Sequence, residues 1–235
     1  MVASLSAIVH HGRNPPCMKF SVSKEKLLEG LQTVQNVVST RTTLPILSNV
    51  LLQAEEGQLR LTTTDLDVGI SCAIEAQVDK IGSTTLPARR LATIVRELPT
   101  SEITINVDSK NVAEIRCGPS FFKIMGLPEE EFPALPQFGD PKVFNLPQKL
   151  LRDGLKKTAY AISTDETRYV LNGILFSFKD NKLTMVATDG RRLALVDVEL
   201  EFPRSQEVDV IVPTKCVAEL TRLVAEDGEL RMSIG

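Results

Sequence analysis

The sequence predicts an α+β protein made of two tandem copies of one domain, each with two helices packed on antiparallel β-sheet. Three observations predict it. The chain matches itself when shifted by 124 residues, amphipathic helical stretches recur at corresponding places, and β-rich runs joined by tight-turn signals lie between them. With 235 residues, 43% hydrophobic and 24% charged, the composition is that of an ordinary globular protein. It excludes a disordered or collagen-like chain, a disulfide scaffold and a membrane-embedded protein.

At the shift of 124, Gly30 falls on Gly154, Leu31 on Leu155, Ser39-Thr40 on Ser163-Thr164, Leu59 on Leu183 and Thr64-Asp65 on Thr188-Asp189. Further along the shift grows to 126, where Pro87 meets Pro213, Arg89 meets Lys215 and Arg96 meets Arg222. A period this long is a duplicated domain and not a solenoid unit. The expected organisation is a disordered or non-native extension over 1–17, a first domain over 18–141 and a second over 143–235. The second copy lacks counterparts of the first copy's last two strands, so the sequence is expected to be a fragment of a longer protein.

Patterned sequence begins at Met18-Lys19-Phe20 with an opening strand. Leu27, Leu31, Val34 and Val38 follow at i, i+4, i+7 and i+11, the stripe of a helix. The runs Val50–Gln53 and Gln58–Thr62 flank Glu56-Gly57 and read as a hairpin. Leu91, Ile94, Val95 and Leu98 mark a second helix, with Pro87 placed to start it. Val112–Cys117 and Phe121–Leu127 read as closing strands before the loop Pro128–Phe138. The second copy repeats the order, with Leu151, Leu155, Ala159 and Ile162 on one helix, the turn Asp180-Asn181, and Val217, Leu220 and Val224 on a helix behind Pro213.

Net charge is −3, so the chain as a whole gives no sign of a polyanionic partner. The distribution does. Arg89 and Arg96 point away from the apolar stripe of their helix, and Lys215 and Arg222 do the same in the second copy. The helix near 148–160 adds a basic row of Lys149, Arg152 and Lys156 at i, i+3 and i+7. Basic residues at matching repeat positions of an acidic chain form a surface suited to phosphate backbone. Nothing favours base readout: zinc-finger spacing is absent and aromatics are few.

Catalytic constellations are weak. Asp65, Asp67 and Asp189 follow strands in settings typical of turns or caps, and the 65–69 segment lacks the further ligands of a calcium loop. Neither phosphate-binding glycine motif occurs, and the only histidines are the adjacent His10 and His11. Cys17, Cys72, Cys117 and Cys216 are scattered, which suits a cytoplasmic protein with reduced thiols. Cys117 and Cys216 are read as buried structural thiols. No metal site, cofactor or membrane-spanning segment is expected.

The segments RTTLPILSN at 41–49, LPARR at 86–90, LPEEEFP at 127–133, RYVLNG at 168–173, ATDGRRL at 187–193 and VIVP at 210–213 occur in an order that resembles the bacterial DNA polymerase III beta subunit, the sliding clamp family. The resemblance covers residues 18–235. It implies a DNA-clamp fold with three like domains per subunit, the third absent from this sequence. Two subunits would form a homodimeric ring when full length, with helices lining the hole. The implied role is non-catalytic: the ring encircles double-stranded DNA without regard to sequence and acts as a processivity factor in DNA replication. The implied protein partners are the DNA polymerase III alpha subunit, the clamp loader and other proteins with clamp-binding motifs.

By resemblance Arg41, Arg89, Arg90 and Lys215 would touch DNA, joined through the charge pattern by Arg96, Lys149, Arg152, Lys156 and Arg222. The acidic Asp165-Glu166 stands where relatives carry a polar DNA-contacting residue. Leu171, Thr188, Gly190, Arg191, Arg192 and Leu193 match a cleft that takes linear peptides, and many relatives have His-Arg in place of Arg191-Arg192. Arg90 and Phe122 match the first domain's side of a head-to-tail subunit interface. The alternative is a tandem-domain protein-interaction scaffold in which the helix charges are incidental.

Overall fold

The computed structural model of the protein describes residues 18–38, 44–135, 139–165 and 167–235. They fall into two compact units that divide between Leu135 and Pro136.

The first unit opens with β1 (Met18–Ser23), whose alternation buries Met18, Phe20 and Val22. Ser23 ends the strand and caps α1 (Lys24–Val34), its hydroxyl accepting from the Lys26 N–H at 3.3 Å. Then come β2 (Asn49–Glu55), β3 (Gln58–Thr64), β4 (Gly69–Glu75), β5 (Gln77–Lys80) and β6 (Gly82–Pro87). Pro87 leads into α2 (Ala88–Glu97), followed by β7 (Glu102–Val107), β8 (Val112–Cys117) and β9 (Ser120–Met125).

All pairings are antiparallel, in one sheet ordered β4-β3-β2-β6 and another ordered β5-β1-β7-β8-β9. α1 packs on β3 and β4 and lies against α2, burying Leu27, Leu31 and Val34. The two sheets are joined where Thr85 and Leu127 exchange backbone hydrogen bonds at 3.0 and 3.1 Å. Asn49 and Thr85, both buried, are paired there through their side chains at 3.0 Å, so no polar group is stranded.

The second unit contains β10 (Lys142–Pro147), α3 (Gln148–Thr158), β11 (Gly173–Lys179), β12 (Lys182–Thr188), β13 (Leu193–Glu199), β14 (Val208–Pro213), α4 (Thr214–Leu223) and β15 (Glu229–Ile234). Its larger sheet, β13-β12-β11-β14, repeats the order β4-β3-β2-β6, and β10 pairs with β15 as β1 pairs with β7. Asp180 and Asn181, at φ 51° and 57°, form the tight turn that lets β11 and β12 pair in register. Phe144 stacks on Phe178 with centroids 3.9 Å apart, and Phe202 closes the cluster edge-on at 5.3 Å.

The 124-residue shift holds from β1/β10 through β4/β13, then becomes 126 for β6/β14 and α2/α4. The two extra residues enter where the first unit has β5. The second unit carries a short turn, Arg204–Gln206, in that place. The repeat also explains two glycines. A Cβ on Gly154 would stand 1.8 Å from Met185 Cε, and one on Gly30 would stand 3.2 Å from Leu61 Cδ1, the corresponding pair. A side chain at either glycine would need the facing side chain to shift, so glycine favours the close approach of each helix to its sheet.

Two expectations change. The apolar stripes through Val38 and Ile162 outlast their helices: α1 and α3 end at Val34 and Thr158 and tighten into 3-10 turns over Gln35–Val37 and Ala159–Ala161. Val38 and Ile162 stay buried in extended backbone, so the spacing persists although the helix does not. Leu98 and Val224 likewise sit just past α2 and α4. Of the two thiols expected to be buried, Cys117 is, whereas Cys216 on α4 is half-buried. Arg41, Cys17, Glu166 and the 1–17 extension lie outside the described residues.

Candidate functional site

α2 buries Ala88, Leu91, Ala92 and Val95, which turns Arg89, Thr93 and Arg96 outward one helical turn apart. With Gln35, Asn36 and Ala92 they line an open recess of about 360 Å³. Arg90 is exposed as well. Among the described residues none of these three guanidiniums makes an ion pair. The lysines of α1 are engaged instead. Lys24 Nζ donates to the carbonyls of Arg96, at 2.9 Å, and Leu98 at the end of α2, where a cation is favoured, and Lys26 pairs with Glu75. Uncommitted positive charge on the helices of the first unit is therefore concentrated on α2.

The second unit differs. α3 turns Leu151, Gly154, Leu155 and Thr158 inward and leaves Lys149 and Lys156 in solvent. Arg152, expected to continue that row, is not free: its guanidinium pairs with Glu226 at 2.8 Å and its side chain is only 25% exposed. The reason lies 74 residues downstream. The Gln148 side-chain oxygen accepts from the Ala225 N–H at 2.8 Å, and the Gln148 N–H donates to the Gly228 carbonyl at 2.9 Å, which holds the loop after α4 over the start of α3. On α4, Val217 faces in, Lys215 and Arg222 face out, and Arg222 pairs with Glu219 at 2.6 Å.

The β12–β13 hairpin gathers five of the six residues singled out for peptide binding. Asp189 Oδ1 accepts from the Arg191 and Arg192 N–H groups at 2.9 and 3.0 Å, and Oδ2 receives Arg192 Nε at 3.0 Å. These donors hold the Asp189 carboxyl below the usual carboxylate range, the backbone N–H groups contributing most. Thr188 Oγ1 donates to the Arg192 carbonyl at 2.7 Å and accepts from the Gly190 N–H at 3.1 Å. Gly190 sits at φ 86°. The first unit builds the same turn with Asp65 and Thr64 but places Leu66 at the left-handed position, φ 80°. Asp65 and Asp189 are thus turn-forming carboxylates, as expected.

Leu193 opens β13 opposite Thr188 and is 63% exposed. Leu171 lies in the segment before β11, its carbonyl accepting from Ser163 N at 3.0 Å. That segment reaches the hairpin through Arg168, whose Nη1 lies 3.7 Å from where a Gly190 side chain would begin. Arg168 also pairs with Asp165 at 3.4 Å. The Asp165 carboxyl is held below its ordinary range first by the Thr167 hydroxyl and then by the Thr167 N–H. The Arg192 guanidinium lies 5.6 Å from the centroid of the Tyr160 ring. Sequence reasoning missed Tyr160 and Arg168 as members of this surface. Tyr160 stands at the repeat position of Asn36, a polar-to-aromatic change that the self-comparison carried.

Phe122 lies on β9, the edge strand of the five-stranded sheet, and is 39% exposed. Beside it the Phe121 ring has Arg116 and Lys123 over it at 4.9 and 5.6 Å, and Glu114 pairs with both cations. Arg90 belongs to α2, a separate element.

Comparison with known proteins identifies the family. Residues 18–136 match the family model described as DNA polymerase III beta subunit, N-terminal domain, and residues 145–235 match the model for its central domain. The beta sliding clamp of Chlamydia muridarum is 38% identical over 210 residues, which is 89% of this chain and 57% of that protein. The crystal structure of the Bartonella birtlesii sliding clamp, bound to griselimycin, superposes with a TM-score of 0.86 at 41% identity, covering 93% of this chain and 60% of that one. The Bacillus subtilis clamp superposes at 0.89 with 31% identity and the same coverage. The chain therefore spans less than two thirds of the length of these relatives.

Proposed function

Because the chain belongs to the DNA polymerase III beta subunit family, we propose that it supplies the first two domains of a DNA sliding clamp, a processivity factor that encircles duplex DNA and tethers a replicative polymerase. The observation that carries this reading is the outward row Arg89, Thr93 and Arg96 on α2, repeated on α4 by Lys215 and Arg222 in a chain of net charge −3. Long cations on helix faces meet phosphates without reading bases, so attraction is retained at every register and the protein can slide. Net negative charge elsewhere discourages binding outside that surface.

The role needs no reaction centre of the chain's own. Among the described residues no three His, Cys, Asp or Glu side chains gather as a metal site. In this reading the β12–β13 hairpin, with Leu171, Leu193 and Tyr169, receives peptide segments of the polymerase and other partners. Phe122 on the β9 edge and Arg90 belong to the subunit contact of a homodimer, which works in the cytoplasm.

The deciding experiment is topological. Intact protein assembled on a DNA circle should be retained through a salt wash and released when the circle is cut once. Equal retention on the cut and uncut forms would overturn the proposal.

Glu226→Gln tests the DNA surface further. Removing the carboxylate frees Arg152 for phosphate and takes one negative charge from the helical face. Duplex affinity should rise about three- to tenfold at about 0.1 M salt, with a steeper salt dependence. Fluorescence anisotropy on a short duplex measures both, and an unchanged affinity and slope would mean that Arg152 does not face DNA.

A further inference from the structure

The recess beside α2 has a counterpart at the same repeat positions of the second unit, and the two differ in chemistry. In the first unit Gln35 and Asn36, on the 3-10 turn after α1, face Arg89, Ala92, Thr93 and Arg96 of α2 across about 360 Å³. The matching residues of the second unit are Ala159, Tyr160, Lys215, Ala218, Glu219 and Arg222. Two amide side chains are thus replaced by alanine and tyrosine, and a threonine by a glutamate. Glu219 Oε2 receives Arg222 Nε at 3.0 Å and Nη2 at 2.6 Å, so that guanidinium is already matched. In the first unit Thr93 brings no charge, since its hydroxyl donates to the Arg89 carbonyl at 2.8 Å. Among the described residues the side chains of Gln35, Asn36, Arg89 and Arg96 have no hydrogen-bonding or ionic partner. The walls are nonetheless fixed: Lys24 Nζ donates to the Arg96 carbonyl at 2.9 Å and to the Leu98 carbonyl, tying the start of α1 to the end of α2.

Building on the DNA reading above, we propose that this recess seats one phosphate group of the duplex backbone, and that the second unit has lost the equivalent seat. Arg89 and Arg96 supply the charge, each with a planar fork suited to phosphate oxygens. The amide N–H groups of Gln35 and Asn36 complete the grip as neutral donors, which fix a phosphate in position without adding attraction at long range. Because the walls are held before the ligand arrives, little freedom is lost on seating it. A phosphate at the second unit's counterpart meets the Glu219 carboxylate, an arginine already paired, and neither amide. The two repeats therefore hold DNA unequally: the first at a defined point, the second through loose attraction.

The test separates a seat from a mere field of charge by removing only its neutral members. The intact protein and its Gln35→Ala, Asn36→Ala double variant are titrated against a short fluorescein-labelled duplex between about 0.05 and 0.2 M salt. Neither side chain is buried, so the fold should survive. Affinity should fall about three- to tenfold at every salt concentration, the effect of losing two hydrogen bonds. The slope of log affinity against log salt should stay unchanged, because uncharged groups release no counter-ions. Thr93→Glu, which gives the first unit the second unit's carboxylate, should instead lower the slope by about 0.9 as Arg96 is claimed. Unchanged affinity in the double variant, or an unmoved slope with Thr93→Glu, overturns the seat and leaves the DNA reading standing. Failure of the unaltered protein to bind the duplex overturns both.

Discussion

Replacing Arg89 and Arg96 together by alanine is expected to weaken duplex binding about 10- to 100-fold at about 0.1 M salt. Each phosphate contact contributes roughly 0.9 to the slope of log affinity against log salt, so the double variant should lose about 1.8 from that slope. Both side chains are exposed on a helix whose packed face is untouched, and the fold should survive unchanged. Reversing charge at Arg89, Arg96, Lys215 and Arg222 should abolish retention on circular DNA. A protein-interaction scaffold with incidental helix charge would keep all its binding in both experiments. A salt slope unmoved by the double alanine change would therefore remove the DNA surface from α2.

Gly126→Ala is expected to destabilise the first unit by about 3 kcal/mol or more. A Cβ there would stand 2.2 Å from the Thr85 carbonyl oxygen and 2.9 Å from that of Asn111. Both obstacles are backbone and already engaged: Gly126 N–H donates to the Asn111 carbonyl at 2.8 Å, continuing the β8–β9 ladder, and Thr85 pairs with Leu127 across the joint between the two sheets. Relief would require the sheets to part. Gly57→Ala is the control, since Gly57 lies in a hairpin turn at φ 74° with nothing within 4 Å of its added Cβ. It should lose only about 1 kcal/mol, the usual penalty of a left-handed alanine. Denaturant unfolding of the two variants compares them directly, and equal losses would mean that the sheet joint yields.

Much of this architecture is legible in the sequence because its causes are local. The burial of Leu27 and Leu31, or of Leu151 and Leu155, follows from side-chain spacing on one helix. The β11–β12 turn follows from Asp180-Asn181, two residues that tolerate left-handed backbone. The self-match shows that a solution found once was used twice. What escapes is what depends on distant partners. Arg152 reads as a free cation until the loop carrying Glu226 is folded over it. Helix ends escape too, because an apolar stripe runs on through a 3-10 turn without a break in spacing. The inequality of Arg191 and Arg192, neighbours of one type, depends on which guanidinium turns back to Asp189. No pattern of residue types encodes that choice.

The close approach of helix and sheet at Gly154 and Met185 bears on how two copies of one ancestor diverge. In such an interior pair the glycine is the constrained member: a side chain added at Gly154 needs the Met185 thioether to retreat, whereas the facing residue has changed between leucine at 61 and methionine at 185. The inward positions have accordingly stayed alike: Leu27 and Leu151, Gly30 and Gly154, Leu31 and Leu155. The outward positions have drifted, Glu25 against Lys149 and Gln32 against Lys156. Descent has thus preserved the scaffold as a unit and rewritten its charge residue by residue. An inherited shape can in this way acquire a new electrical character without passing through an unfolded ancestor.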